Sequence, residues 1–253
     1  MIVVDSNIDI SPISLRPQRL QRLRSSKLIF IACEGEITEE QYFDEVLSIY
    51  SDISEKIKIF SARKATSLDK HSTDYLSGEK NSTCNTPLQL IKLLEDCTSN
   101  RDISIYDHDE FWIVFDVDQN FGAEKTFEGV KYDNLLKAID KCNKKNYNYA
   151  ISNPFFEVWL LLHFDDASDS DISFAVTKDH CYEKTKHFVH RLSNVGYPLK
   201  GKSIPPNLLS RKNIQDAIRR ASDLFNTGES NNNIPYSYGS TVYRILQSFE
   251  ELC

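Results

Sequence analysis

Two short apolar runs, each followed by an acidic residue, limit most strongly what this chain can fold into. Residues 28–33 read LIFIAC and precede Glu34, and residues 111–115 read FWIVF and precede Asp116. Continuous apolar runs of this length are typical of strands buried on both faces, as in parallel sheets. The sequence therefore predicts a parallel sheet in which two strands end in an acid.

The segments around these runs alternate between helical and extended patterns. Thr38, with Gln41 three residues later, has the form of a capping box, which predicts a helix that starts near Glu39. The next predicted elements are a strand over 56–61, a helix over 88–96, a helix over 132–144 and a strand over 147–152. This alternation predicts an α/β fold, a parallel sheet of about four strands flanked by helices.

A helix with apolar residues on every side is predicted after the last of these strands. Asn153 and Pro154 have the form of an N-cap and a first helical residue, and they open the run FFEVWLLLHF. Glu157 is the only charged residue between Pro154 and Leu162, and an unpaired buried carboxylate is costly. We expect Glu157 either to reach a metal or substrate near the Asn153 turn, or to pair with a distant arginine or lysine in the core. His163 is interpreted as a core histidine with satisfied hydrogen bonds.

Beyond Asp165 the pattern changes to helices separated by short polar stretches. Helices are predicted near 178–192, 210–225 and 240–252. We divide the chain into a basic N-terminal arm at 1–27, an α/β domain at 28–165 and a mostly helical C-terminal portion at 166–253. The polar stretch at 64–86 is predicted to be a mobile loop.

Composition excludes several classes of protein. With 253 residues, 40% of them hydrophobic, the chain can bury a large core, and it has no apolar run of bilayer length. Asp5 and Asp9 interrupt the apolar opening, which argues against a signal peptide, so we expect a cytoplasmic protein without membrane contact. The six cysteines have no CxxC spacing, and we expect reduced thiols.

The balance of charge bears on nucleic-acid binding. A formal net charge of -7 argues against a protein that coats nucleic acid, because that mode needs many cations at phosphates. A local basic patch is nevertheless present in the N-terminal arm, within a stretch that contains no acid. Its members, which we treat as candidate nucleic-acid contacts, are Arg16, Arg19, Arg22, Arg24 and Lys27. An N-terminal segment that is exposed to solvent and binds no nucleic acid would have the same composition.

The acids at the strand ends are the candidate functional residues. In open parallel sheets ligands bind beyond the carboxyl ends of the strands, so Glu34 and Asp116 can be neighbours. Asp118 would project from the same face as Asp116 if the extended backbone continued. Two carboxylates about 4 Å apart repel by on the order of 4 kcal/mol at an effective dielectric of 20, and a cation or proton must offset that repulsion.

Hard carboxylate oxygens without nearby histidine or cysteine favour Mg²⁺ or Mn²⁺. We therefore treat Glu34, Asp116 and Asp118 as catalytic and metal-binding residues, and Glu157 as a further candidate ligand. Glu36 and Glu39 are second-tier candidates, and the helix macrodipole already explains an acid at position 39.

Two other metal motifs overlap residues 116–122, DVDQNFG. An EF-hand loop needs glycine and glutamate where this chain has Phe121 and Phe127, so that interpretation fails. A phosphatase of the haloacid-dehalogenase type also places Asp-x-Asp after an apolar strand, but this chain has Asn120 where that family usually has threonine or valine. The phosphatase interpretation also gives no role to Glu34. No phosphate-binding glycine-rich loop is present.

The ordered motifs resemble a known family. A strand that ends in Glu34–Gly35, followed by one that ends in Asp116-x-Asp118, resembles the Toprim arrangement of topoisomerases, primases and OLD-type nucleases. The chain is more closely similar to the RloB-like family. The segments that carry this similarity are CEGEITEEQYF at 33–43, FDVD at 115–118, SNPFFEVWLLLHF at 152–164 and STVYRILQSFE at 240–250.

The resemblance implies a Toprim-like core, metal-dependent cleavage of nucleic acid and a role in bacterial anti-phage defence or abortive infection. Glu34 matches the acid of the first motif, and Asp116 and Asp118 match the metal-binding pair. Nucleic acid would be the substrate, and a partner protein of a defence system would be a second partner. Two alternatives stay open: a phosphatase or phosphotransferase built on Asp116 and Asp118, and a non-catalytic binding module that contains a metal.

Overall fold

The structure is a computed structural model that describes residues 26–35, 37–61, 86–99, 104–117, 130–177, 181–200, 202–227, 230–231, 234–235 and 238–253. The strands are β1 (Ile29–Cys33), β2 (Ile57–Ser61), β3 (Glu110–Asp116), β4 (Asn148–Asn153), β5 (Ser230–Asn231), β6 (Ile234–Pro235) and β7 (Gly239–Ser240). The helices are α1 (Thr38–Ile49), α2 (Pro87–Ser99), α3 (Val130–Lys145), α4 (Glu157–Leu161), α5 (Asp169–Thr177), α6 (Cys181–Asn194), α7 (Arg211–Thr227) and α8 (Tyr243–Glu250).

One mostly parallel sheet organises the described chain. Its strand order is β2-β1-β3-β4-β7, and β1 to β4 run parallel while β7 pairs antiparallel with β4. In the centre of the sheet, Ile31 pairs with Ile59 on one side and with Trp112 on the other. The predicted α/β class, with four parallel strands flanked by helices, is confirmed, and β7 adds a fifth strand from the C-terminal portion.

The two faces of the sheet bury different sets of helices. Side chains alternate along β1, so that Ile29 and Ile31 belong to one core cluster and Phe30 and Ala32 to the other. Helices α2 and α3 cover the Phe30 face. Helices α1, α4, α6, α7 and α8 contribute to the cluster on the Ile31 face. Because strands are buried on both faces, their sequences are continuously apolar.

The prediction for residues 153–164 was wrong at its start. Asn153 is the last residue of β4 and not a helix cap; its side-chain amide donates to the Pro235 carbonyl at 2.8 Å. Helix α4 begins only at Glu157 and has 5 residues. The local cap signal is overridden because β7 pairs with Ser152 and Asn153 and extends the strand.

Helix α5 lies in a stretch that we predicted to be a polar connection. Ser168 and Asp171 exchange two bonds at its start: the Ser168 N–H donates to Asp171 Oδ2 at 3.2 Å, and the Asp171 N–H donates to Ser168 Oγ at 3.1 Å. This is a capping box with aspartate in place of glutamate. Ser168 and Asp171 have the spacing of a capping box in the sequence, but the polar residues around them resemble a loop.

The C-terminal portion is bonded directly to the central sheet. The Thr241 N–H donates to the Ile151 carbonyl at 2.9 Å, and the Ile151 N–H donates to Thr241 Oγ1 at 2.8 Å. Thr241 is fully buried. Within the described ranges, no helix is long and apolar enough to cross a bilayer. Cys33, Cys97, Cys142 and Cys253 form no disulfide bond.

We predict that Thr241→Val lowers the free energy of unfolding by about 1–3 kcal/mol, because it leaves the buried Ile151 N–H without an acceptor. Thr98→Val is the matched control, since Thr98 donates only to carbonyls of its own helix and is partly exposed. Its expected effect is within about 0.5 kcal/mol. Urea unfolding measures both. If both variants lost the same free energy of unfolding, the contact between Thr241 and Ile151 would not stabilise the fold as we propose.

Candidate functional site

Successive strands are added on opposite sides of β1, although β1, β2 and β3 all run parallel. The chain passes from β1 outward to β2 and then returns to β3 on the other side of β1. In open α/β sheets this topological switch point opens a crevice beyond the carboxyl ends of the two strands, where ligands bind. Glu34 directly follows β1, and Asp116 is the last residue of β3. Both predicted acids therefore lie at the crevice.

The side chain of Glu34 contacts the backbone of Asp116. The Asp116 N–H donates to Glu34 Oε2 at 3.2 Å, and the Glu34 N–H donates to the Val114 carbonyl at 3.0 Å. Both side chains are buried, with 7% and 3% of their surface exposed. The register of β1 against β3 thus sets the separation of the two carboxyl groups.

Glu39 joins this pair from the first turn of α1. Its side chain is buried. The carboxyl group lies against Gly35, where a Cβ atom would come within 1.5 Å of Glu39 Oε2. Gly35 therefore has a steric role, since any side chain at this position would displace the Glu39 carboxyl group. The macrodipole accounts for an acid in this turn but not for its burial beside Glu34.

Glu157, the first residue of α4, completes the group that we call the acid cluster: Glu34, Glu39, Asp116 and Glu157. It is partly exposed, and its removal from water raises its pKa. Its charge acts on both Glu39 and Asp116. The positive charge of Lys202 has the opposite effect and lowers the pKa of Glu157. Glu157 thus lies among the acids of the candidate site, and Lys202 acts on it from the protein surface and not as a cation in the core.

The acid cluster is electrostatically strained without a cation. Burial, followed by the charges of Glu39, Glu34 and Glu157, holds the pKa of Asp116 well above its usual range. Burial, followed by the charges of Glu157 and Glu34, raises the pKa of Glu39 to about 7. Like charges in a region of low dielectric favour uptake of protons or of a hard cation.

The donor set suits Mg²⁺ or Mn²⁺, because all four groups offer carboxylate oxygens. Among the residues that the structure describes, no three Asp, Glu, His or Cys side chains are already arranged around one metal position. Asp118 and Glu36 lie outside the described residues, as do Arg16, Arg19, Arg22 and Arg24. Their predicted roles stay predictions.

Lys27, the described member of the basic arm, lies before β1 and so at the opposite edge of the sheet from Glu34. Its ammonium group pairs with Glu110 at 2.5 Å and with Glu251 at 3.5 Å. The structure does not bring Lys27 to the acid cluster.

His163 is a core residue, as its position in the apolar run predicted. It is 1% exposed, and its ring bonds the Tyr42 hydroxyl at 3.2 Å and the Trp159 carbonyl at 2.9 Å. Burial lowers its pKa to about 4, so the ring is neutral at pH 7.

Two charged residues with tertiary roles near α1 were missed from the sequence. Glu40, predicted only as part of α1, is buried and accepts a hydrogen bond from Ser61, the last residue of β2. Lys202 acts on Glu39 and Glu157 from a loop more than 40 residues further along the chain. No local pattern identifies Lys202, because its position depends on how the C-terminal portion packs against α1.

Comparison with known proteins identifies a family. A family model described as RloB-like protein matches residues 29–249, which include every described residue of the acid cluster. No curated protein and no solved structure matches the chain.

We predict that the metal-free protein loses stability as the pH rises from about 5 to 7. In this window the unfolded Glu39 carboxyl, with an ordinary pKa of 4.5, has released its proton, whereas the folded group, with a pKa of about 7, still holds it. Stability falls wherever the folded state binds more protons. Urea unfolding in a chelator at several pH values measures the effect.

Glu39→Gln should be less sensitive to pH over this range, and the exposed acid Glu55, substituted as Glu55→Gln, is the control that should behave like wild type. Parallel pH profiles for wild type and Glu39→Gln would contradict the prediction.

Proposed function

The chain belongs to the RloB-like family, and we propose that it is a metal-dependent nuclease that hydrolyses phosphodiester bonds in DNA or RNA. The observation that carries the proposal is the contact between Glu34 and Asp116 at the switch point of the sheet. A crevice in this place binds ligands in other α/β folds, and two buried carboxyl groups there suit a divalent cation. The Toprim-like resemblance of the same two positions supports this assignment.

In this proposal Glu34 and Asp116 hold the metal, with Asp118 as the third predicted ligand and Glu157 at the rim of the site. A bound Mg²⁺ or Mn²⁺ would offset charge on the scissile phosphate and lower the pKa of an attacking water. Burial of Glu34 and Asp116 keeps their oxygens in a fixed place and limits the access of bulk water. Gly35 leaves room for Glu39 beside them.

The net charge of the chain shapes how substrate would reach this site. At -7 overall, the protein repels a nucleic-acid backbone at long range, so local cations must admit it. The basic arm supplies such cations in the sequence. The activity would belong to bacterial anti-phage defence, together with a partner protein of the defence system, because the family resemblance implies that setting. We propose a cytoplasmic location because Asp5 and Asp9 interrupt the apolar N-terminal stretch.

The test is cleavage of labelled DNA and RNA by purified protein in Mg²⁺ or Mn²⁺. Asp116→Asn keeps the shape of the side chain and removes a ligand charge, and it should lower the cleavage rate by more than about 100-fold, beyond the loss expected for a residue that only supports a ligand. Asp52→Asn changes an exposed acid that follows α1, at the opposite edge of the sheet, and should leave the rate unchanged.

Cleavage that survives Asp116→Asn would overturn the nuclease assignment. Indifference to Glu34→Gln, together with a trapped phosphoryl group on Asp116, would instead establish the phosphatase alternative. Mg²⁺ binding by calorimetry, without turnover of DNA or RNA by protein combined with its partner, would establish the binding module.

A further inference from the structure

A loop of the C-terminal portion is fastened to α1 along one face of the helix. Three side chains of α1 bond its backbone: Thr38 Oγ1 donates to the Lys202 carbonyl at 2.7 Å, Gln41 Oε1 accepts from the Ile204 N–H at 3.0 Å, and Glu45 Oε1 accepts from the Leu209 N–H at 2.9 Å. Positions three and four residues apart lie on one helical face. We call residues 202–209 the docked loop.

Thr38 and Gln41 are the two residues that the sequence predicted to form a capping box. In the structure α1 has no side-chain cap at its start. Both side chains bond the docked loop instead, more than 160 residues away along the chain. Their polar groups therefore serve a tertiary contact, and local capping cannot explain why they stand at these positions.

Further contacts hold the shape and position of the docked loop. Lys200 and Ser203 exchange two backbone hydrogen bonds of 3.1 Å each, which bring the chain on the two sides of Lys202 together. Ile204 and Leu209 are each 8% exposed and belong to the core cluster that includes Tyr42 and Val46 of α1. The backbone of Lys202 is thus fixed beside Thr38, the neighbour of Glu39.

The side chain of Lys202 is exposed, although its backbone is held. Its charge acts on Glu39 and on Glu157 through space, without a direct hydrogen bond to either. An exposed cation adds little to stability when it only faces acids across solvent. Because its backbone is held beside Thr38, the Lys202 ammonium group is nevertheless well placed to contact an anion that binds at the acid cluster.

Resting on the proposed function, we infer that Lys202 binds the phosphodiester group of the nucleic-acid substrate at the acid cluster, and that Thr38, Gln41 and Glu45 are the residues that position it. Donors fixed before the substrate arrives stabilise developing charge without reorganisation. The docked loop meets this condition for the backbone of Lys202, and its bonds leave the ammonium group available to the phosphate. The acid cluster and the docked loop would then form one site.

The test compares Lys202→Met with Lys200→Met, which removes the same charge from an exposed lysine two residues away. Lys202→Met should lower kcat/KM by on the order of 100-fold. It should also reduce the slope of log affinity against log salt by about 0.7 for a short single-stranded oligonucleotide, as expected for one lost phosphate contact. Lys202→Arg should restore most of the activity. Lys200→Met should match wild type.

Further readouts separate substrate binding from a structural role. The thermal midpoint of Lys202→Met should equal that of wild type, and its Mg²⁺ affinity by calorimetry should be unchanged or tighter, because a cation beside the acids is removed. Lower Mg²⁺ affinity with an unchanged salt slope would overturn the inference, as would a Lys202→Met variant that behaves like Lys200→Met while wild type cleaves. A wild-type protein that neither binds nor cleaves the oligonucleotide would overturn the proposed function as well.

Discussion

The structure depends on the pairing of β1 with β3. This pairing brings Glu34 and Asp116 together, although the repulsion between their carboxylates would keep them apart. Each parallel ladder fixes its register over several apolar residues, and the acids stand just where the ladders end. Burial of apolar side chains on both faces of the sheet stabilises this arrangement against the repulsion between the carboxyl groups. Local conflict of this kind is expected at functional sites, where stability elsewhere offsets it.

Much of this arrangement could be predicted because the signals are local. The apolar runs at β1 and β3 identify the strands, and the acids that follow them are placed by the general geometry of parallel sheets. The positions of Glu34 and Asp116 at one crevice follow from those two facts. The order of the strands, which makes that crevice a switch point, was not predicted, and it became known only with the crossover connections.

The parts that could not be predicted depend on contacts between distant segments. Asn153 has the sequence of a helix cap, but pairing with β7 keeps it in the strand. Thr38 and Gln41 have the sequence of a capping box, but they bond the docked loop. Lys202 lies in a polar stretch without periodicity. In the first two cases a residue with a local cap signal bonds the C-terminal portion instead, and in the third the position of Lys202 depends on how that portion packs against α1.

The central claim is that Glu34 and Asp116 hold a divalent cation. Anomalous diffraction from crystals grown with Mn²⁺ tests it most directly, because the signal locates the ion independently of activity, substrate or partner. We predict a peak within coordination distance of both carboxyl groups, absent in Asp116→Asn crystals grown in the same way. A well-ordered crevice without a peak at this position, at a concentration of Mn²⁺ that saturates other sites, would contradict the account.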